Sequence, residues 1–289
     1  MNTVKDLLDI LLLEKKEGFF IGKSETVGSL NVFGGQVLAQ SINAAYRTIH
    51  NNRTLHSLHS YFLEPGDLTI PIKYFVDESR DGGSFSTRRV TAIQNDKTIF
   101  ILAASFHKKE FGYEHYQLLN RKIIQPEKLK SWSELAENFG DFMPFKLKSF
   151  LGVERPIEFK PTVIPDLSSK EKLPPKIDLW FKLKGNIPSL GIEVKHQILT
   201  YISDYSLLWS SILPNMNKIN FSDIQMASLD HAMWFYRDFD FNDWLLYTIQ
   251  SPSSGNARGI AQGHIYNRDG VLIASVVQEG LVRPLNRNK

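Results

Sequence analysis

The side chains that could do chemistry in this chain are limited in kind. It has eight histidines and no cysteine, which excludes a thiol nucleophile, a thiolate metal site and a disulfide scaffold. No Gly-x-Ser-x-Gly turn occurs, so a serine nucleophile of the elbow type has no seat. Gly22-Lys23-Ser24 resembles the end of a phosphate-binding loop, but Glu17 stands where that loop needs glycine. No Gly-x-Gly-x-x-Gly occurs. His56 and His59 lie three apart on an expected strand, so they face opposite ways and cannot share a metal ion. No His-Glu-x-x-His spacing is present, and His107 and His115 read as surface. Neither a metal nor a cofactor is called for. What stands out is three polar residues in apolar company. Asp204 closes Leu199-Thr200-Tyr201-Ile202-Ser203, Ser228 opens a strand that carries Met233 and Trp234, and Gln278 ends the apolar run 271–277. Each has an ordinary reading: an N-cap, a strand-start hydroxyl, an exposed strand end.

The elements that must hold these residues follow from composition and pattern. A chain of 289 residues, 42% hydrophobic, buries roughly 75% of its unfolded surface, so it needs no cross-links. Its 34 basic and 31 acidic residues leave a net charge of +3. They are scattered rather than banded, so no nucleic-acid partner is expected. Val4, Leu7, Leu8 and Leu11 form one face of a short helix, and Lys5, Asp6 and Asp9 interrupt what would otherwise resemble a leader. No run reaches the ~18 apolar residues that cross a bilayer. The last five residues are not a peroxisomal address, and a cytoplasmic location is expected.

Two stretches read as sheet. In the first, strands are expected at 55–63, 72–76, 85–94 and 98–106; in the second, at 227–236, 244–250, 258–266 and 271–278. Gly, Asp, Asn and Pro turns separate them. A helix precedes each: Leu38, Ile42, Ala45 and Ile49 share one face over 34–49, and 201–213 is the second candidate, with Asp204 near its start. Residues 132–150 are expected as a helix and 161–175 as an exposed loop. The two halves repeat. An offset of 172 carries His59 onto His231, and 173 carries Asp96 onto Asp269. The pattern predicts an α+β chain with a sheet wrapping a helix, twice.

Several long segments of the chain are distinctive. They are Val32-Phe33-Gly34-Gly35-Gln36-Val37, His56-Ser57-Leu58-His59-Ser60-Tyr61-Phe62-Leu63-Glu64-Pro65-Gly66-Asp67 and Arg80-Asp81-Gly82-Gly83-Ser84-Phe85-Ser86-Thr87-Arg88. The second half adds Leu229-Asp230-His231-Ala232-Met233-Trp234-Phe235, Asp243-Trp244-Leu245-Leu246-Tyr247 and the stretch from Arg268 to Gly280. In this order they resemble the acyl-CoA thioesterase II family, whose members carry two fused hotdog domains. The resemblance implies an N-terminal hotdog over 1–115, a linker region over 116–175 and a catalytic hotdog over 176–289. It implies hydrolysis of acyl-CoA to fatty acid and CoA, with Asp204, Ser228 and Gln278 as the catalytic set. Some members have Thr where Ser228 stands. It further implies a homo-oligomer, dimer or tetramer. Asp204 would take a proton from a water that Ser228 and Gln278 hold, and N–H groups at the start of the second helix would face the oxyanion. Arg258 is a candidate for CoA phosphates. In the first half, offsets of 170 and 173 put Gly34 and Ser105 at the positions of Asp204 and Gln278, so that half is expected not to catalyse. The alternatives are an acyl-CoA sensor without catalysis, and a hotdog enoyl-CoA hydratase. The hydratase would need Asp230 and His231 to act together, though neighbours on a strand face apart.

Overall fold

A computed structural model of the chain describes residues 2–50, 52–119, 121–166, 171–218 and 223–285. The N-terminal half contains α1 (Val4–Leu11), β1 (Glu14–Lys16), β2 (Phe19–Gly22), α2 (Gly34–Tyr46), β3 (Arg53–Phe62), β4 (Ile72–Asp81), β5 (Phe85–Gln94) and β6 (Lys97–Lys108). Then come α3 (Trp132–Phe139), α4 (Phe145–Gly152), β7 (Ile157–Pro161) and β8 (Lys176–Leu183). The rest is α5 (Ile192–Ser203), α6 (Leu207–Ile212), β9 (Ile224–Ser228), β10 (Asp230–Phe235), β11 (Leu245–Gly255), β12 (Arg258–Asn267) and β13 (Leu272–Pro284).

Every described strand joins one antiparallel sheet, ordered β1-β2-β4-β5-β6-β3-β10-β13-β12-β11-β8-β7, with β9 beside β13. The first six strands of that order wrap α2, and the rest wrap α5 together with α6. This is the duplicated α+β hotdog architecture expected from the sequence. Ten of the thirteen residues of α2 are buried, as befits a helix enclosed on most sides. The two central helices run antiparallel against each other. Asn43 Nδ2 donates to Gln197 Oε1 at 3.0 Å, and the Tyr46 hydroxyl meets His196 Nδ1 at 2.8 Å.

The halves meet where β3 pairs with β10, Leu58 opposite Met233 and His59 opposite Ala232. This seam corrects the repeat register. His59 is exposed and packs edge-on against Trp234, whereas His231 is buried on the inner face. A one-residue slip exchanges the faces of a strand, so the offset that keeps inner residues inner is 173. At that offset Leu58, not His59, corresponds to His231. The duplication holds, but the matched histidines are not equivalent.

Three further expectations change in detail. The strand expected at 227–236 breaks at Leu229. The register against β13 shifts there by one residue, from Ser228↔Gly280 to Ala232↔Val277. Asp230 Oδ1 holds the break by accepting the Glu279 N–H at 2.6 Å, a bulge that re-aims the neighbouring side chains. The helix expected at 132–150 is two helices with Pro144 between them. A capping box from Ser131 and Glu134 starts the first, and Pro144 precedes the second. Within the stretch expected as linker, β7 pairs with β8 and extends the second half of the sheet. Of the loop expected at 161–175, residues 167–170 lie outside the described residues, as do 286–289 at the C-terminus.

Candidate active site

Asp204 does not stand at the start of a helix. It is the C-cap of α5 (φ −78°, ψ −10°), and the chain turns through Ser206 at φ +69° before α6 begins. Helix ends of this left-handed kind usually carry glycine. A serine there leaves the break unmarked in the sequence, so 201–213 reads as one helix. The break turns the Asp204 carboxylate away from its own helix, toward the first half.

The carboxylate meets two groups from the second half there. Asp204 Oδ1 accepts from Gln278 Nε2 at 3.0 Å, and the Ser228 hydroxyl lies 3.4 Å from the same oxygen. Gln278 Nε2 also donates to Ser228 Oγ. Gln278 is 1% exposed, on the inner face of β13. Ser228 is the last residue of β9, just before the bulge. The three residues thus converge from a helix end, a strand end and a strand interior. Gln278 is no exposed strand end, and Asp204 caps neither α5 nor α6 with its side chain.

The other carboxylate oxygen reaches the first half. Asp204 Oδ2 accepts the Gly35 backbone N–H at 2.8 Å. Gly35 lies in the first turn of α2, whose N-cap residue Phe33 supplies no side-chain cap. The carboxylate therefore satisfies one of the N–H groups a helix start leaves unpaired, at the positive end of its dipole. The helix start at the site belongs to the first half, not, as expected, to the second. Gly34 is likewise not the counterpart of Asp204 but its neighbour: a Cβ at Gly34 would sit 2.8 Å from Asp204 Oδ2. The helix-end residue that matches Asp204 by position is Arg47, the C-cap of α2. Sequence reasoning missed Gly34 and Gly35; two glycines opening a helix are the signal for a close backbone approach.

A second layer lies behind Gln278. His231 is fully buried, its Nδ1 is 3.3 Å from Gln278 Oε1, and its Nε2 is 2.9 Å from Ser203 Oγ. Burial pushes this imidazole below its ordinary value, against the pull of nearby Asp204. The Tyr247 hydroxyl donates to the Ser203 carbonyl at 2.9 Å. Gly263 leaves room for that ring, which a Cβ there would strike. Arg258 is not gathered into this cluster. Its register against Leu281 puts it on the sheet face opposite Gln278, and its Nε is 3.0 Å from Glu279 Oε1. Among the described residues no group of His, Asp and Glu is arranged to hold a metal ion.

A helix start, a carboxylate, a hydroxyl and an amide thus converge between the two hotdog halves, and this cluster is the candidate site. Comparison with known proteins narrows the class. A family profile described as acyl-CoA thioesterase matches residues 153–281, and one for the acyl-CoA thioesterase N-terminal domain matches 23–107. Acyl-CoA thioesterase 2 of Haemophilus influenzae is 37% identical over 283 residues, covering 98% of each chain. Human acyl-coenzyme A thioesterase 8 is 34% identical, over 92% of this chain and 85% of its own. Among solved structures, the acyl-CoA thioesterase II TesB2 of Mycobacterium marinum superposes with a TM-score of 0.77. It is 31% identical, over 98% of this chain and 99% of that one. The chain belongs to the acyl-CoA thioesterase family.

Proposed function

We propose that this chain hydrolyses acyl-CoA thioesters to a free fatty acid and CoA by direct attack of water held at Asp204, Ser228 and Gln278. The observation that carries the reading is the convergence of those three side chains on one another beside the start of α2. A thioester carbonyl is electrophilic and a thiolate leaves readily, so the demanding step is orienting the water. Asp204 takes the proton of that water as it attacks. Ser228 and Gln278, each able to donate a hydrogen bond, fix its position and lower the entropic barrier. The carbonyl oxygen becomes an oxyanion, and the positive end of the α2 dipole lies beside the carboxylate to stabilise it. Collapse of the tetrahedral species breaks the carbon–sulfur bond. The thiolate departs as CoA, and the proton held by Asp204 passes to it or to solvent. No bond to the protein forms.

The hydratase alternative fails on geometry. Asp230 is committed to the Glu279 N–H and His231 points inward to Gln278, so they do not form an acid–base pair. A sensor without catalysis has no use for the polar trio.

The test is release of free CoA from short, medium and long acyl-CoA. Asp204→Asn is expected to lower kcat by about 10²–10⁴-fold with its circular dichroism unchanged. Ser228→Thr, which keeps the hydroxyl, should retain turnover where Ser228→Ala loses it. Full activity in Asp204→Asn would sink the scheme; tight acyl-CoA binding with no turnover in the unmodified protein would favour the sensor.

The proposal extends to assembly and location. Phe75, Thr91, Ile101 and Tyr61 lie side by side across the outer face of the sheet, three of them exposed and apolar or aromatic. A second copy of the chain covering this row would make the homo-oligomer. No helix among the described residues is long and apolar enough to cross a membrane, and the cytoplasm is the proposed location.

A further inference from the structure

We infer that His231 is a positioning residue for the hydrolysis proposed above, and that its Nδ1–H tautomer sets which way the Gln278 amide faces. The available hydrogens decide it. Gln278 turns its NH₂ toward Asp204 Oδ1 and Ser228 Oγ. Its carbonyl oxygen is thereby turned to His231 Nδ1, 3.3 Å away. A carbonyl oxygen only accepts, so Nδ1 must carry a hydrogen. His231 is fully buried, and burial holds it neutral. A neutral imidazole has one N–H, so Nε2 is an acceptor. Ser203 Oγ, 2.9 Å away, is positioned to donate to it. The Ser203 hydroxyl has one hydrogen and a second acceptor in reach, the Thr200 carbonyl at 2.8 Å.

Those two choices are linked. If Ser203 donates to His231, the ring carries its hydrogen on Nδ1 and the Gln278 NH₂ faces the carboxylate. If Ser203 donates to Thr200, the ring carries it on Nε2. Gln278 then flips, and its carbonyl oxygen faces Asp204 Oδ1 at 3.0 Å, oxygen against oxygen. The first arrangement is complementary throughout and the second is not. The relay Ser203–His231–Gln278 therefore presents a donor, rather than an acceptor, to the site where the water is held. The Tyr247 hydroxyl on the Ser203 carbonyl keeps the start of the relay in register.

This inference rests on the catalytic reading for its kinetic consequence but not for its hydrogen-bond content, and two measurements separate them. Selective ¹⁵N-histidine labelling of the unmodified protein reports the tautomer of His231. A protonated Nδ1 is expected, and a protonated Nε2 overturns the inference whatever the kinetics show. The second measurement is a double-mutant cycle on kcat. His231→Leu is expected to lower kcat tenfold to a hundredfold with KM little changed. His231→Asn, whose amide nitrogen reaches the Nδ1 position, is expected to recover most of it. In a Gln278→Ala background His231→Leu should cost nothing further. A full additional loss there, at unchanged melting temperature, would mean that His231 does not act through Gln278. If Gln278→Ala alone keeps full turnover, the catalytic reading fails, and the labelled spectrum still decides the His231–Gln278 bond.

Discussion

Two buried imidazoles lie near the contact between the halves, each held neutral by burial and each hydrogen-bonded to a different partner. His196 Nδ1 is 2.8 Å from the Tyr46 hydroxyl, which accepts the Leu55 N–H at 2.9 Å. Burial pushes His196 from its ordinary 6.5 down to about 4. The folded state therefore binds fewer protons than the unfolded chain between those values. Stability is full above about pH 6.5 and falls as pH drops toward 4, by roughly 3 kcal/mol from this group alone. Thermal melts across that window should show the loss, and His196→Gln should flatten it; a melting temperature unchanged from pH 7 to pH 4.5 would refute the assignment. The candidate trio stood out as polar residue types in apolar runs, but only the family resemblance joined them into a set. The layer behind it was not, because His231 reads as one more histidine on an alternating strand. Only the bulge at Leu229 reveals that it faces Gln278.

At the scale of elements, the site depends on how closely α2 approaches the end of α5. A Cβ at Gly35 would collide with the Tyr201 carbonyl, a backbone atom that cannot swing aside. Gly35→Ala is therefore expected to push the helices apart and lower stability by about 1–3 kcal/mol, as overpacking does. Gly34→Ala meets the Asp204 carboxylate instead, a side chain that can move. It should cost less stability and more turnover. Melting temperature and kcat measured on both variants check the contrast; equal effects on both quantities would mean the two glycines do not divide in this way. Periodicity disclosed α2 and most strands because their burial is one-sided or alternating. It placed the second central helix too late in the chain, since an apolar run continues past Ser203 while the backbone does not. It could not disclose the meeting of Gly34 and Asp204, which are 170 positions apart in sequence and adjacent only once the halves dock.

For the whole molecule, the pseudo-two-fold seam predicts a mirror site, and the structure fills it. At the offsets that preserve face and register, Leu55 replaces Ser228, Ala104 replaces Gln278 and Arg88 replaces Ala261. Arg88 is fully buried. Its Nε donates to Thr48 Oγ1 at 2.9 Å, one terminal nitrogen donates to the Thr48 carbonyl at 3.0 Å, and its charge is met by Asp81 and Glu78. A guanidinium locked into the end of α2 leaves no polar trio and no space for one. A non-hydrolysable thioether analogue of acyl-CoA should therefore bind once per chain by calorimetry, and a stoichiometry of two would contradict the plugged mirror site. On the outer face, Tyr61→Lys should dissociate the proposed oligomer without changing the circular dichroism, read by light scattering. A protein already monomeric before substitution would remove that proposal.

The covalent link between the halves has a consequence for how such a site can diverge. In an assembly of two identical chains, any substitution appears at both related positions, so a residue that closes one pocket closes the other. Joined in a single chain, the two copies are inherited as separate stretches and drift separately. One can place an arginine where the other keeps its alanine, and each change is judged on its own. One half here presents a fixed wall around Arg88 and lends a helix start. The other carries the acid, the hydroxyl and the amide.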